Sequence, residues 1–113
     1  MVIIYGVPQC QKTRRTKTLL EEHGIEYKFV NVKKQPINRE ELKKIVDQLG
    51  LQNVLNSKGP TFRKLGLKER NLDEEELFKW LLKEQGMINR PLIKNGDRYW
   101  VGFDEQGILN FIK

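Results

Sequence analysis

The chain has 113 residues, 38% of them hydrophobic, which suits one compact domain with a modest core and leaves little room for a second. Lysine and arginine number 21 against 15 aspartates and glutamates, a net charge of +6, but the charges are mixed along the chain and no basic block stands out. Direct nucleic-acid binding is therefore not expected, the apolar content argues against disorder, and no apolar run reaches the length of a membrane span. The expectation is a soluble, cytoplasmic monomer forming a single domain over residues 1–113.

Val2-Ile3-Ile4-Tyr5, stopped by Gly6 and Pro8, reads as a buried strand. Gln11 to His23 favours helix, with Gly24 where a left-handed C-cap belongs. Tyr27 to Val32 is aromatic and β-branched and reads as a second strand. The short strand–helix–strand spacing makes a right-handed βαβ unit, so these two strands should be parallel. Asn38 with Glu41 three residues on starts another helix, whose Leu42, Ile45, Val46 and Leu49 form one apolar stripe before Gly50. Leu51 to Leu67 is less regular. Asp73 then caps a helix carrying Leu77, Phe78, Trp80, Leu81 and Leu82, expected to stop at Gly86. Pro91-Leu92-Ile93-Lys94 and Arg98-Tyr99-Trp100-Val101 flank Asn95-Gly96-Asp97, a tight hairpin signal of the Asn-Gly type. Asp104 caps a last helix bearing Ile108, Leu109, Phe111 and Ile112. The order β-α-β, helices, β-β-α is an α/β, thioredoxin-like layout. It implies a central four-stranded mixed sheet and a helical insertion between the halves, at about 36–86.

Cys10 is the only cysteine, which excludes a disulfide framework and any metal site built from several thiolates. It follows the first strand and opens the first helix, where unpaired backbone N–H groups and the positive end of the helix dipole favour an anion. A thiolate is such an anion, and thiols at helix N-termini titrate below the free value of about 8.5. Lys12, Arg14 and Arg15 add positive charge, Arg14 lying closest to the sulfur's face at four residues on. Gly6 and Pro8 before the cysteine and three cations after it are poor surroundings for an apolar filler. A monothiol cannot close a disulfide within its own chain, so an adduct on Cys10 needs an outside thiol to resolve it. Pro91, opening the third strand, is expected to follow a cis bond and to bring Arg90 to Cys10. His23, the only histidine, sits in the last helical turn, far along from Cys10, and is expected to be structural.

Together Tyr5-Gly6-Val7-Pro8-Gln9-Cys10, Lys58-Gly59-Pro60-Thr61-Phe62-Arg63-Lys64-Leu65, Asn89-Arg90-Pro91-Leu92-Ile93 and Val101-Gly102-Phe103 resemble the arsenate reductase (ArsC) family of thioredoxin-like proteins. That family includes glutathione- and glutaredoxin-linked arsenate reductases and the transcription regulator Spx. The resemblance implies that Cys10 is the nucleophile and Arg90 its neighbouring catalytic arginine. It implies that Thr13 and Arg14 help to bind an anion, with Asn56, Lys58 and Arg63 contributing from the insertion, and that Pro91 is a structural cis-proline. Glutathione is the implied co-substrate, with no bound cofactor and no metal; glutathione or glutaredoxin is the implied partner. Two further arginines of the family's oxyanion site are replaced here by Asn56 and Gly102. The Val101-Gly102-Phe103 ending is similar instead to the branch described as glutathione-dependent thiol reductases, and to Spx. The implied activity is monothiol reduction of an oxyanion or a glutathione mixed disulfide. The alternative is an Spx-like regulator that binds the C-terminal domain of the RNA polymerase α-subunit, although Thr13 stands where Spx carries a second cysteine.

Overall fold

A computed structural model describes all residues, 1–113. The strands are β1 (Val2–Gly6), β2 (Tyr27–Asn31), β3 (Leu92–Asn95) and β4 (Arg98–Val101). The helices are α1 (Gln11–Glu22), α2 (Arg39–Leu49), α3 (Leu51–Val54), α4 (Pro60–Lys64), α5 (Glu74–Lys83) and α6 (Glu105–Ile112). The sheet runs β2-β1-β3-β4. β1 and β2 are parallel, as the βαβ spacing requires, and the other two pairings are antiparallel. This is the mixed four-stranded, thioredoxin-like sheet expected from the order of elements.

Side-chain alternation along the strands divides the interior into two layers. Tyr5, Leu92 and Tyr99 face the larger one, with Leu42 and Ile45 of α2 and Phe78 and Leu81 of α5. Val2 and Ile93 face the smaller one, against Leu19 of α1 and Ile108 of α6. α1 and α6 therefore cover one face of the sheet, and the insertion covers the other.

Local chemistry accounts for most boundaries. The Asn38 side chain accepts from Glu41 N–H at 2.8 Å, and Asp73 and Glu76 form a reciprocal capping box. Gly24 takes the left-handed turn after α1, at φ 65. Four details depart from expectation. The stretch after Gly50 is not simply irregular: it holds α3 and α4, the latter started by Pro60, whose fixed φ suits a first helical turn. α5 stops at Lys83 rather than Gly86, because Glu84 turns out of the helix and the buried Gln85 side chain reaches across the chain. Its Oε1 accepts from Ile37 N–H and its Nε2 donates to Ile37 C=O, both at 2.7 Å. The hairpin loop is Gly96-Asp97, with positive φ at Gly96 alone, so the turn sits one residue later than an Asn-Gly pair would put it. Asp104 occupies the cap position of α6 but its side chain makes no capping bond.

A polar cluster on the insertion side ties α2 to the sheet. Glu41 accepts hydrogen bonds from Lys94 Nζ at 2.6 Å, from the Tyr99 hydroxyl at 3.1 Å and from the Tyr5 hydroxyl at 3.4 Å. Burial pushes both tyrosines up, Tyr99 to about 12, and the Glu41 carboxylate reinforces the effect. Burial also pushes Glu41 up, but the Lys94 and Tyr99 hydrogen bonds outweigh it and hold the carboxyl below its ordinary value.

Candidate active site

β1 ends at Gly6, and the chain turns sharply: Cys10 N–H donates to Val7 C=O at 3.1 Å. Cys10 is extended (φ −75, ψ 125), and its carbonyl accepts from Arg14 N–H at 3.1 Å, which makes it the N-cap of α1. The half-buried sulfur packs against the larger core. Its own side chain makes no capping bond, so the first-turn N–H groups are left for an anion.

Thr13 is fully buried one turn along, and its hydroxyl has no hydrogen-bond partner. Room for it comes from Gly6, where a Cβ would stand 2.6 Å from Thr13 Oγ1. A buried hydroxyl without a partner is costly, and native proteins hold few of them. Burial pushes the Cys10 thiol up. The Thr13 N–H, the Thr13 hydroxyl, the Arg90 charge and the Lys12 N–H together outweigh that, so the thiol titrates below its ordinary value.

Arg90 is placed by the insertion and the hairpin jointly. Asn89 N–H donates to Val54 C=O and Asn56 N–H to Met87 C=O, both at 2.7 Å, around a bridge between Leu55 and Ile88. The Asn89 side chain donates to Asn53 C=O at 2.8 Å. The Arg90-Pro91 bond is cis, and Pro91 C=O accepts from Gly102 N–H at 2.9 Å. The guanidinium thus lies beside Cys10 and also lines a recess with Asn56.

The other candidates are placed differently. Arg14 folds back to donate to Gln9 C=O at 3.2 Å, so the side-chain charge acting on the sulfur comes from Arg90. Lys58 and Arg63 are exposed, on and after the loop before α4, and neither lines the recesses that Arg90 borders. Gly102 has φ 103, with open space where a Cβ would stand. The backbone here is one that side-chain-bearing residues adopt only with strain. The His23 ring caps the end of α1 through Nδ1, 3.0 Å from Leu19 C=O, at the far end from the cysteine.

Residues that sequence reasoning passed over hold the site together. Asn89, bonded to Asn53 C=O, seats the insertion against the segment before Pro91, and Gln85 ties the two ends of the insertion together through Ile37. Asn89 lies in the Asn89-Arg90-Pro91 motif beside Arg90, whereas nothing in the sequence around Gln85 signals its role.

The sequence profile of the ArsC family matches residues 5–111, nearly the whole chain. The chain belongs to the ArsC family. The global transcriptional regulator Spx of Listeria innocua is 32% identical over 99% of this chain and 87% of its own length. Among solved structures, the YffB protein superposes with a TM-score of 0.91 at 33% identity over the whole of both chains. An arsenate reductase from Vibrio cholerae gives 0.83 at 28% identity, over 96% of this chain and 95% of that one. The ArsC family thus places this chain beside both reductases and regulators. No helix is long and apolar enough to cross a membrane.

Proposed function

We propose that this ArsC-family chain is a monothiol reductase. In the proposed cycle the Cys10 thiolate attacks one sulfur of a glutathione mixed disulfide, forming a Cys10–glutathione disulfide and expelling the substrate's thiolate. A second thiolate, that of free glutathione or of a glutaredoxin's own cysteine, then attacks the glutathione sulfur. Oxidised glutathione, or glutathionylated glutaredoxin, leaves, and Cys10 returns as thiolate. One disulfide is reduced and one formed, so glutathione supplies both electrons and no resident cofactor is needed. The observation that carries this reading is the depressed Cys10 thiol at the N-cap of α1, with Thr13 and Arg90 beside it.

An oxyanion such as arsenate is the other substrate of the same chemistry. It is disfavoured because Asn56 and Gly102 leave Arg90 without the further arginines of the family's oxyanion site. Each missing charge removes transition-state stabilisation of several kcal/mol, at about the scale of known oxyanion-stabilising groups.

The test is a glutathione- and glutaredoxin-coupled assay offered both a mixed disulfide and arsenate. Turnover of the disulfide, weak or absent turnover of arsenate, and loss of both in Cys10→Ser are expected. Retained turnover in Cys10→Ser would remove the assignment. The Spx likeness supports a second reading, a regulator that binds the C-terminal domain of the RNA polymerase α-subunit. A specific complex with that domain, together with no reductase turnover, would favour it.

A further inference from the structure

On the side of Arg90 facing the insertion lies a narrow recess of about 120 Å³. Its lining includes Arg90, Asn56, Thr61, Gly86 and Lys33, the last from the turn that follows β2. Lys33 is set there by two local features. Its N–H donates to the Asn31 side chain at 3.0 Å, fixing the turn, and its stem lies across Gly86. A Cβ at Gly86 would stand 3.3 Å from Lys33 Cε and 3.9 Å from its Nζ, so the end of the lysine side chain lies over this glycine.

The recess is charged on one side of the balance only. Its two ionisable residues are the cations Lys33 and Arg90, and no acid lines it. Neither cation is neutralised elsewhere: the ion pairs of the structure are Lys43–Asp47 and Lys94–Glu41. The Asn56 amide and the Thr61 hydroxyl add hydrogen-bonding groups on the same wall. A volume of this size admits a carboxylate or a tetrahedral oxyanion and excludes a nucleotide or an aromatic acid.

We propose that Lys33 and Arg90 form a two-cation seat for a compact oxygen anion, adjoining the Cys10 site through Arg90. Lys33 supplies the second charge that Asn56 does not. The seat deepens the reductase reading, on which it rests: under that reading its occupant is a carboxylate of the glutathione moiety. A free oxyanion shares the chemistry.

The test uses ligands that cannot react with Cys10, so its outcome is separate from whether the thiol is catalytic. Sulfate, S-methylglutathione and S-methylglutathione dimethyl ester are titrated into the full chain at low salt, with amide NMR shifts read at Thr61 and Gly86. Saturable shifts are expected with S-methylglutathione and not with its ester. Lys33→Gln should weaken binding about three- to fivefold, the scale of one partly screened charge, and Lys33→Arg should restore it. Saturable sulfate shifts with no response to S-methylglutathione would keep the seat and assign it to a free oxyanion. Shifts that avoid Thr61 and Gly86, equal binding of acid and ester without sulfate binding, an unchanged affinity in Lys33→Gln, or no binding of any of the three would overturn it.

Discussion

Replacing Thr13 by valine separates what its hydroxyl does for the thiol from what it costs the fold. Valine keeps the shape and exchanges the hydroxyl for a methyl, so the backbone N–H groups and Arg90 are left in place. Hydrogen bonds to charged groups are worth about 1.5–3 kcal/mol, and Cys10 is only half-buried, so the low end of that range applies. A loss of about 1.4 kcal/mol is a factor of ten in the thiolate fraction below the titration midpoint. In the folded protein at rest, however, the Thr13 hydroxyl is buried without a partner, a state that costs about 1–3 kcal/mol. At a pH below the thiol's midpoint, where the hydroxyl has no partner, Thr13→Val should therefore be more stable in urea by about 1 kcal/mol, while Cys10 becomes the slower nucleophile. The pH dependence of iodoacetamide alkylation reads the second effect: its midpoint moves up, and the rate well below it falls about tenfold. An unchanged midpoint, or a protein less stable than the parent, would refute the account of Thr13 as a donor held for the thiolate.

The Glu41 cluster makes a pH prediction. Its carboxyl is held below the ordinary value, so its contribution is fully present above the unfolded carboxylate pKa and is lost as pH falls through the lower, folded one. Glu41→Gln should cost about 1–2 kcal/mol at neutral pH and flatten the acid limb of the stability curve; an unaltered limb would exclude this carboxylate as its source. Gln85→Leu leaves the buried Ile37 N–H and C=O unpaired and should lower stability by about 2–4 kcal/mol in urea. Gly102→Ala meets no atoms within 4 Å, so any loss reports backbone strain alone, about 1–2 kcal/mol by thermal unfolding. Arg90→Gln should raise the alkylation midpoint of Cys10, and Arg14→Gln should leave it closer to the parent, because Arg14 is turned to Gln9 C=O.

The sequence by itself determined the parts whose causes are local. Alternating and helical apolar patterns, the caps at Asn38 and Asp73, and Gly24 fixed the elements and their order. The strand–helix spacing fixed the parallel pair, and the place of Cys10 after β1 fixed its position at a helix start. These features act over a few residues, so they are legible in a linear text. What only the tertiary structure decided acts across the chain. Arg90, not Arg14, carries the side-chain charge at the sulfur, because a side-chain direction depends on which carbonyl it meets in space. Lys33 lines the same recess as Arg90, with the end of its side chain over Gly86, 53 positions away in the chain. Gln85 ends α5 early by bonding Ile37, 48 residues away, and Glu41 joins α2 to three strands through groups 36 to 58 residues away. The thiol was readable from sequence. The charges around it were not, because their arrangement is settled only when the insertion closes on the sheet.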